Sequence, residues 1–297
     1  MQCKRLVQHP FRWPVGFRAK RGSVPTRHCR FAYEFTSRVE RALGAYAHPP
    51  AESARPTGQD NPLPLSNSVR PLDNKLLASL PRDDFELLAP VLTTLSLAQG
   101  IVLAEPGDEF DHVYFPHSGM LSLLAVMKDG KAIETATVGR EGIVGGMAGL
   151  GLYKSLVRVV VQLPITASRI SASHFRKAAD KSDAVRNLCI NFNEVLLSQA
   201  RVTAACNAMH LTEARFCRWL LRSADRTASN TVTLTQELLA EMLGVRRTSV
   251  TEVASRIQGA GAISYSRGVI KILDRSALES LVCECYQTLL NQQAELA

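Results

Sequence analysis

The sequence predicts an α+β protein with three parts in order: an antiparallel β-roll, one long α-helix and a C-terminal winged helix-turn-helix. Short β runs broken by turns fill residues 95–171, and an uninterrupted helical apolar pattern covers residues 181–209. Beyond them, two short amphipathic helices meet at Gly244. The expected boundaries are a tail at 1–65, the roll at 66–180, the long helix at 181–209 and a C-terminal domain at 210–297.

The length and charge of the chain limit its class. Its 297 residues suffice for about two domains with separate cores. No apolar run approaches about 18 residues, so we expect no membrane-spanning helix. The seven scattered cysteines show no disulfide framework, which fits a cytoplasmic, reducing compartment. Residues 1–60 carry 11 Lys/Arg against four Asp/Glu, whereas residues 200–297 carry 11 against nine. Any nucleic-acid argument must therefore rest on the placement of individual arginines.

Residues 1–65 are rich in Arg, Pro, Ser and Ala and show no sustained period, which predicts a disordered tail. Its scarcity of acids resembles a transit peptide, and its basicity could add loose affinity for DNA. A start site placed too far upstream is the third alternative. A tail or an artefact is favoured over a functional segment.

The roll is predicted from strands spaced roughly ten residues apart without an intervening long helix. The Asp129-Gly130 dipeptide lies between two of these strands and is typical of a β-hairpin turn. The predicted strands are Ile101–Leu103, Val113–Phe115, Met120–Met127, Ile133–Val138 and Val157–Leu163.

The long helix carries apolar residues at alternating steps of three and four, with Gln199 as one polar position. The positions are Val185, Leu188, Phe192, Val195, Gln199, Val202, Cys206 and Met209. Such a seam favours a dimer, although packing on the chain's own roll would produce a similar stripe. A break at His210 follows, and Leu211, Phe216, Trp219, Leu220 and Leu221 are expected to pack under the next motif.

Two apolar helix faces flank Gly244, a position where the chain must turn sharply at low cost. The faces are Leu238, Leu239, Met242 and Leu243 before it, and Val250, Val253, Ala254 and Ile257 after it. The second helix starts with Arg246, Arg247, Thr248 and Ser249, whose donors can reach phosphates and base edges. This layout favours a helix-turn-helix, in which the second helix enters the DNA major groove, over a helical hairpin with a solvated basic corner.

The segment after this pair predicts a wing. Gly259-Ala260-Gly261 ends the second helix, and two short strands then surround a Ser266-Arg267-Gly268 turn. Residues 232–234 could add a third strand. Arg267 at the tip is equally compatible with a backbone contact to DNA and with a solvated turn residue.

Neither metal nor enzyme chemistry is expected. Seven scattered cysteines show no disulfide framework or zinc-finger spacing, and Cys283 and Cys285 would point to different faces of a helix. One turn carries a cluster of four acidic residues, but their spacing does not define the geometry of a catalytic site. They are better explained as solvent-exposed turn residues. The members of the cluster are Glu105, Asp108, Glu109 and Asp111.

A β-roll, a long helix and a winged helix-turn-helix together resemble the Crp/Fnr superfamily of bacterial transcription regulators over about residues 75–290. The most specific matches are Pro106–Asp108, Val113–Pro116 with Gly119, Gly139–Gly145 and Leu234–Ile272. The resemblance implies a cyclic-nucleotide-binding-like sensor roll, a dimerisation helix and a Crp-type DNA-binding domain. It also implies a homodimer on near-palindromic double-stranded DNA with recognition helices roughly 34 Å apart, and RNA polymerase as a partner if the protein activates.

By position, Arg247 matches the family arginine that contacts guanine, a bidentate contact worth about 1–3 kcal/mol of discrimination. Thr248 replaces the glutamate that usually follows, and Glu252 replaces a later arginine, so we expect a different operator. Arg246, Ser249 and Gln236 are better candidates for phosphate contacts.

The sensor departs further from the family. Cyclic-nucleotide binders carry Gly-Glu-Leu and a later Arg-Ser or Arg-Thr, which hold the ribose and the phosphate. Here Gly145-Gly146-Met147 lacks the carboxylate, and Arg158 is the nearest arginine, leaving a degenerate effector pocket. These losses should cost several kcal/mol, which disfavours cyclic AMP. The alternatives are a cyclic-nucleotide-responsive regulator and a sensor module that acts through protein partners.

No cofactor is expected either. The iron–sulfur sensors of the superfamily use several clustered N-terminal cysteines, and Cys3 and Cys29 are too few. His112 and His117 could in principle ligate heme, but two lone histidines in a turn are more often surface residues.

Overall fold

The computed structural model describes residues 71–227 and 229–296, and the tail predicted at 1–65 lies outside them. None of the helices in this part of the chain combines the length and the apolarity needed to cross a membrane. The order of its elements confirms the predicted fold class.

Two antiparallel sheets form the roll, with strand orders β2-β6-β4-β5 and β1-β7-β3. The strands are β1 (Thr93–Leu97), β2 (Val102–Ala104), β3 (His112–Pro116), β4 (Met120–Val126), β5 (Ala132–Val138), β6 (Arg158–Leu163) and β7 (Ile165–Ser171). Gly130 at the β4–β5 turn has a φ of 84°, a value that favours glycine, which explains the hairpin predicted at Asp129-Gly130. Phe115 and Leu121 are fully buried between the sheets.

The two histidines expected at the surface lie instead in and beside β3. His117 is 7% exposed, and its Nε2 lies 2.9 Å from Ser168 Oγ. Burial lowers the pKa of His117. His112 is half-buried at the start of β3, so the prediction of two exposed turn residues is wrong.

Ten α-helices occur in the described part of the chain, some beside the roll and the others in the C-terminal domain. They are α1 (Lys75–Ser79), α2 (Arg82–Glu86), α3 (Gly146–Gly149), α4 (Ala172–Ala179), α5 (Asp183–Met209), α6 (Thr212–Thr227), α7 (Gln236–Leu243), α8 (Arg247–Gly259), α9 (Arg275–Leu281) and α10 (Cys285–Leu296). The predicted long helix is therefore confirmed as α5, at 27 residues or roughly 40 Å.

The apolar seam predicted for dimerisation packs within the chain. Most of its residues are buried without a second copy: Val185, Leu188, Phe192, Val195, Gln199 and Cys206. Gln199 accepts hydrogen bonds from the Thr137 N–H at 3.2 Å and from Arg222 at 3.4 Å. The alternative, packing on the chain's own roll, explains this stripe.

A different face of α5 is exposed. Ile190 and Leu197 are 48% and 42% exposed, and Ala204 continues their seven-residue spacing at the surface. Residues at that spacing line one side of a helix. The helix therefore buries one stripe in its own chain and leaves a second stripe open.

The C-terminal domain combines α6, α7 and α8 with a sheet of order β8-β10-β9. Its strands are β8 (Thr231–Thr233), β9 (Ile263–Ser266) and β10 (Val269–Ile272). Phe216, Leu220 and Leu221 are fully buried under the helix pair as expected, but Leu211 is 80% exposed, so its predicted packing is wrong. Helix α10 packs against α5, where the Ser198 hydroxyl donates a hydrogen bond to Gln292 Oε1 at 2.6 Å.

Candidate nucleic-acid interface

The corner between α7 and α8 is built by local capping. Thr235 accepts a hydrogen bond from the Leu238 N–H at 3.3 Å and starts α7. Gly244 ends it with a φ of 62°, and a Cβ there would lie 2.5 Å from the Ile133 side chain in β5. The left-handed turn therefore favours glycine here, and a larger residue would also displace the end of the Ile133 side chain.

The start of α8 faces solvent. Arg246 is the N-cap residue, its side chain makes no capping hydrogen bond, and Arg246, Arg247 and Thr248 are all exposed. A helix N-terminus attracts phosphate through its free N–H groups and its dipole. This end of α8 is thus exposed and accessible to an anion.

Arg247 is held by an ion pair at the surface. Its Nη1 lies 2.7 Å from Glu237 Oε1, and the two side chains are 64% and 58% exposed. Such exposed pairs contribute about 0–1 kcal/mol, so another hydrogen-bond partner can replace Glu237 at low cost.

The other predicted contact residues lie in α7 and α8. Gln236 accepts a hydrogen bond from the Thr251 hydroxyl at 2.8 Å and is half-buried, as is Ser249. Glu252 is exposed one turn further along α8. The contacts of Gln236 with Thr251 and of Glu237 with Arg247 therefore link the two helices.

Arg267 lies at the tip of the wing. It has a φ of 50° and is followed by Gly268 at 75°, an arrangement that makes a tight hairpin turn between β9 and β10. Its side chain is exposed. The turn therefore presents a cation on the wing.

A buried polar network was missed from the sequence. Helix α6 carries four arginines at most 7% exposed: Arg215, Arg218, Arg222 and Arg226. Arg226 lies 2.7 Å from Glu141 in an ion pair whose side chains are about 5% exposed, and it also donates to the Thr137 backbone oxygen at 3.1 Å. Burial alone would raise the pKa of Glu141, but the charge of Arg226 and its hydrogen bond hold this pKa below the usual value.

Glu134 is the second buried acid of this network. It accepts from the Ser122 hydroxyl at 2.5 Å and from the Trp219 indole at 3.4 Å. Burial raises its pKa, and the hydrogen bond from Ser122 and the charge of Arg218 offset only part of that effect. The network joins the roll to α6, the helix that packs under the helix-turn-helix.

A mostly apolar cavity of about 300 Å³ lies in the roll beside α5. Gly145, Gly146 and Met147, the residues predicted for an effector pocket, line it, and Lys154 is the single cation among the described residues around it. A Cβ on Gly146 would lie 2.8 Å from Cys189 Sγ, so a glutamate at this position would require the Cys189 side chain to shift.

Arg158 does not line this cavity, contrary to expectation. Its neighbours Val157 and Val159 do, and alternation along the strand directs Arg158 to the opposite face. There its Nε lies 2.9 Å from Glu105 Oε1 and its Nη1 lies 4.0 Å from Glu241 in α7. Glu105 is therefore the ion-pair partner of Arg158. The backbone N–H of Glu105 also donates a hydrogen bond to the Asp108 carboxylate at 2.8 Å.

Comparisons with known proteins agree with this geometry. The profile of the Crp-like helix-turn-helix domain matches residues 214–281, and that of the cyclic nucleotide-binding domain matches residues 94–182. A search of curated proteins found no significant match.

Solved structures with the same fold include a protein described as a transcriptional regulator of the Crp/Fnr family from Eubacterium rectale ATCC 33656. It is 20% identical, with a TM-score of 0.56 over 69% of this chain and 96% of that one. FixK2 from Bradyrhizobium japonicum is 16% identical, with a TM-score of 0.56 over 65% and 98%. The c-di-GMP responsive regulator CLP from Xanthomonas campestris is 15% identical, with a TM-score of 0.52 over 65% and 99%. At these identities the likeness shows a shared fold.

Proposed function

We propose, from the premise that this chain belongs to the Crp/Fnr superfamily of transcription regulators, that it binds a near-palindromic DNA operator as a cytoplasmic homodimer. The observation that carries the proposal is the open N-terminus of α8, with Arg246 and Arg247 exposed on a helix-turn-helix whose predicted apolar faces are buried apart from Leu238. Arg247 reads a guanine, while Arg246, Ser249 and Gln236 contact phosphates. Thr248 and Glu252 shift the preferred sequence, and Arg267 contacts the backbone from the wing.

The homodimer forms through the second stripe of α5 and not through the seam that the sequence first indicated. Ile190, Leu197 and Ala204 are exposed at heptad spacing, while the predicted seam is already buried inside the chain. Two copies of this stripe packed side by side would remove it from water. The dimer then presents two α8 helices to successive turns of DNA. RNA polymerase is the further partner if the protein activates.

DNA binding is tested with the purified full chain and the fragment upstream of its own gene. We expect binding whose affinity falls steeply with salt concentration, because each phosphate contact releases counterions. Leu197→Glu should yield a monomer by analytical ultracentrifugation and should abolish operator binding, since charge repulsion opens the α5 interface.

Met127→Glu is the matched control, because Met127 is 54% exposed in the β4–β5 turn, outside α5. It should leave the dimer and the affinity unchanged. A dimeric Leu197→Glu protein, or a wild-type protein with no preference over unrelated DNA, contradicts the proposal.

The roll is proposed to reject cyclic AMP. Its cavity has no carboxylate for the ribose among the described lining residues, and Arg158 is engaged by Glu105. The apolar lining instead suits a largely apolar effector. Calorimetric titration with cyclic AMP should show no tight binding, and a sub-micromolar affinity would contradict this part of the proposal.

A further inference from the structure

Three cysteines and a histidine converge at the junction between α5 and α6. Cys206 lies in the last turn of α5, His210 lies in the break after it, and Cys283 and Cys285 precede and begin α10. One sulfur or nitrogen atom of each residue lies within 4.8 Å of the corresponding atoms of the other three. All three cysteines are buried.

The spacing of these atoms fits a single tetrahedral metal ion. Zn–S and Zn–N bonds of about 2.3 and 2.0 Å place neighbouring tetrahedral ligands about 3.5–3.8 Å apart. Cys206 Sγ and Cys283 Sγ are 3.6 Å apart, and Cys285 Sγ and His210 Nδ1 are also 3.6 Å apart. A disulfide would need sulfurs about 2.05 Å apart.

The surrounding groups suit a metal-bound histidine. His210 Nε2 lies 3.1 Å from the Glu284 carboxylate, so an Nε2–H donated to Glu284 leaves the Nδ1 lone pair facing the three sulfurs. A carboxylate on the far nitrogen of a ligating histidine is the usual way in which proteins orient that ligand.

The local charge suits an anionic complex. A divalent ion with three thiolates and a neutral imidazole carries a net charge of −1, and two buried arginines of α6 supply positive charge nearby. The Nε atoms of Arg215 and Arg218 are buried without a hydrogen-bond partner in the described residues.

We propose that Cys206, His210, Cys283 and Cys285 bind one structural zinc ion. The four ligands fill a tetrahedron and leave no position for a substrate, which is typical of structural sites. The ion links the start of α10 to the junction between α5 and α6. When it binds, the cysteine thiols release their protons to solvent and their sulfurs bond to the metal. The expectation of no metal rested on a helix through Cys283, but that residue precedes α10, so its side chain and that of Cys285 can converge.

The metal content of the full chain tests this site directly. Protein purified under reducing conditions without chelator should contain about one zinc per chain by plasma mass spectrometry. Replacement by Co²⁺ should give the intense visible bands of tetrahedral thiolate cobalt, a signature that octahedral surface binding does not produce. Because this readout uses the unaltered protein, it does not depend on any variant folding.

Single variants then assign the ligands. Cys206→Ser, Cys283→Ser and Cys285→Ser should each lose most of the zinc and the cobalt bands. Cys217→Ser is the matched control, because Cys217 is equally buried but lies outside the cluster, and it should retain both. Wild-type protein that binds neither zinc nor cobalt in this form overturns the proposal, as does a Cys206–Cys283 disulfide in freshly isolated protein. Neither outcome bears on DNA binding, which is measured separately.

Discussion

Glu141→Gln should lower the free energy of unfolding by about 3–5 kcal/mol, the usual result of removing one partner of a buried ion pair. The side chain of Arg226 is 5% exposed, and its Nη2 lies 2.7 Å from Glu141 Oε1. Among the described residues, Glu141 is the only carboxylate that forms an ion pair with Arg226. The amide keeps the shape of the side chain but leaves the guanidinium charge uncompensated in the interior. Urea unfolding followed by circular dichroism measures the loss.

Glu105→Gln is the matched control for this variant. Its pair with Arg158 is partly exposed, at 44% and 29% of the side chains, so the expected loss is about 0–1 kcal/mol. Adding Arg226→Met to Glu141→Gln should recover part of the stability, because no unpaired charge then remains. Equal losses in Glu105→Gln and Glu141→Gln would show that the buried pair has no special role.

The loss of unfolding free energy in Glu141→Gln should depend on pH in a defined direction. The pKa of Glu141 is lowered in the folded protein from its ordinary value of 4.5, so its stabilisation is complete above that pH and is lost as pH falls through the folded pKa. The difference between wild type and Glu141→Gln should therefore shrink in acid below about pH 4.5.

The sequence predicted those features that short-range patterns determine. Gly244 and the Arg267-Gly268 tip each need a particular backbone conformation, and the residues around them supply the caps and the apolar faces of the same motif. The boundaries of α5 follow from an uninterrupted helical period that ends near His210. In these segments local preference and tertiary structure agree, which is the condition under which sequence patterns predict well.

Features that depend on distant partners could not be predicted. The arginines of α6 have the spacing of a solvated helix face, and only contacts with residues distant in sequence make them interior. Arg226 pairs with Glu141, Arg222 donates to Gln199, and Arg215 donates to the backbone oxygen of Leu243. The apolar pattern of α5 predicted a buried seam on this helix, but it did not indicate which surface packs against that seam. The proposed zinc ligands are separated by up to 79 positions between Cys206 and Cys285, and no spacing rule relates them before the chain folds.

Arg247→Ala should weaken operator binding by about 1–3 kcal/mol per half-site, or roughly 5–200-fold, and should relax the preference at one base pair in each half-site. A guanidinium that donates two hydrogen bonds to one guanine is lost, whereas phosphate contacts from neighbouring residues remain. Selection of bound sequences from a random pool measures the preference, and fluorescence anisotropy measures the affinity.

Arg256→Ala is the matched control, since it removes the same side chain from the same helix roughly 14 Å further along. Arg256 is 63% exposed and lies 3.4 Å from Glu213, so its loss should leave both readouts unchanged.

The partner of Arg247 separates base recognition from simple charge. Removing Arg247 frees the Glu237 carboxylate, which then repels the phosphates and adds to the loss of affinity. Arg247→Ala with Glu237→Gln removes this repulsion and should recover affinity without recovering the base preference. Glu237→Gln alone should bind slightly more tightly with its preference intact. If the double variant regained the wild-type sequence preference, Arg247 would be acting through charge alone and the base contact would have to be assigned to another residue of α8.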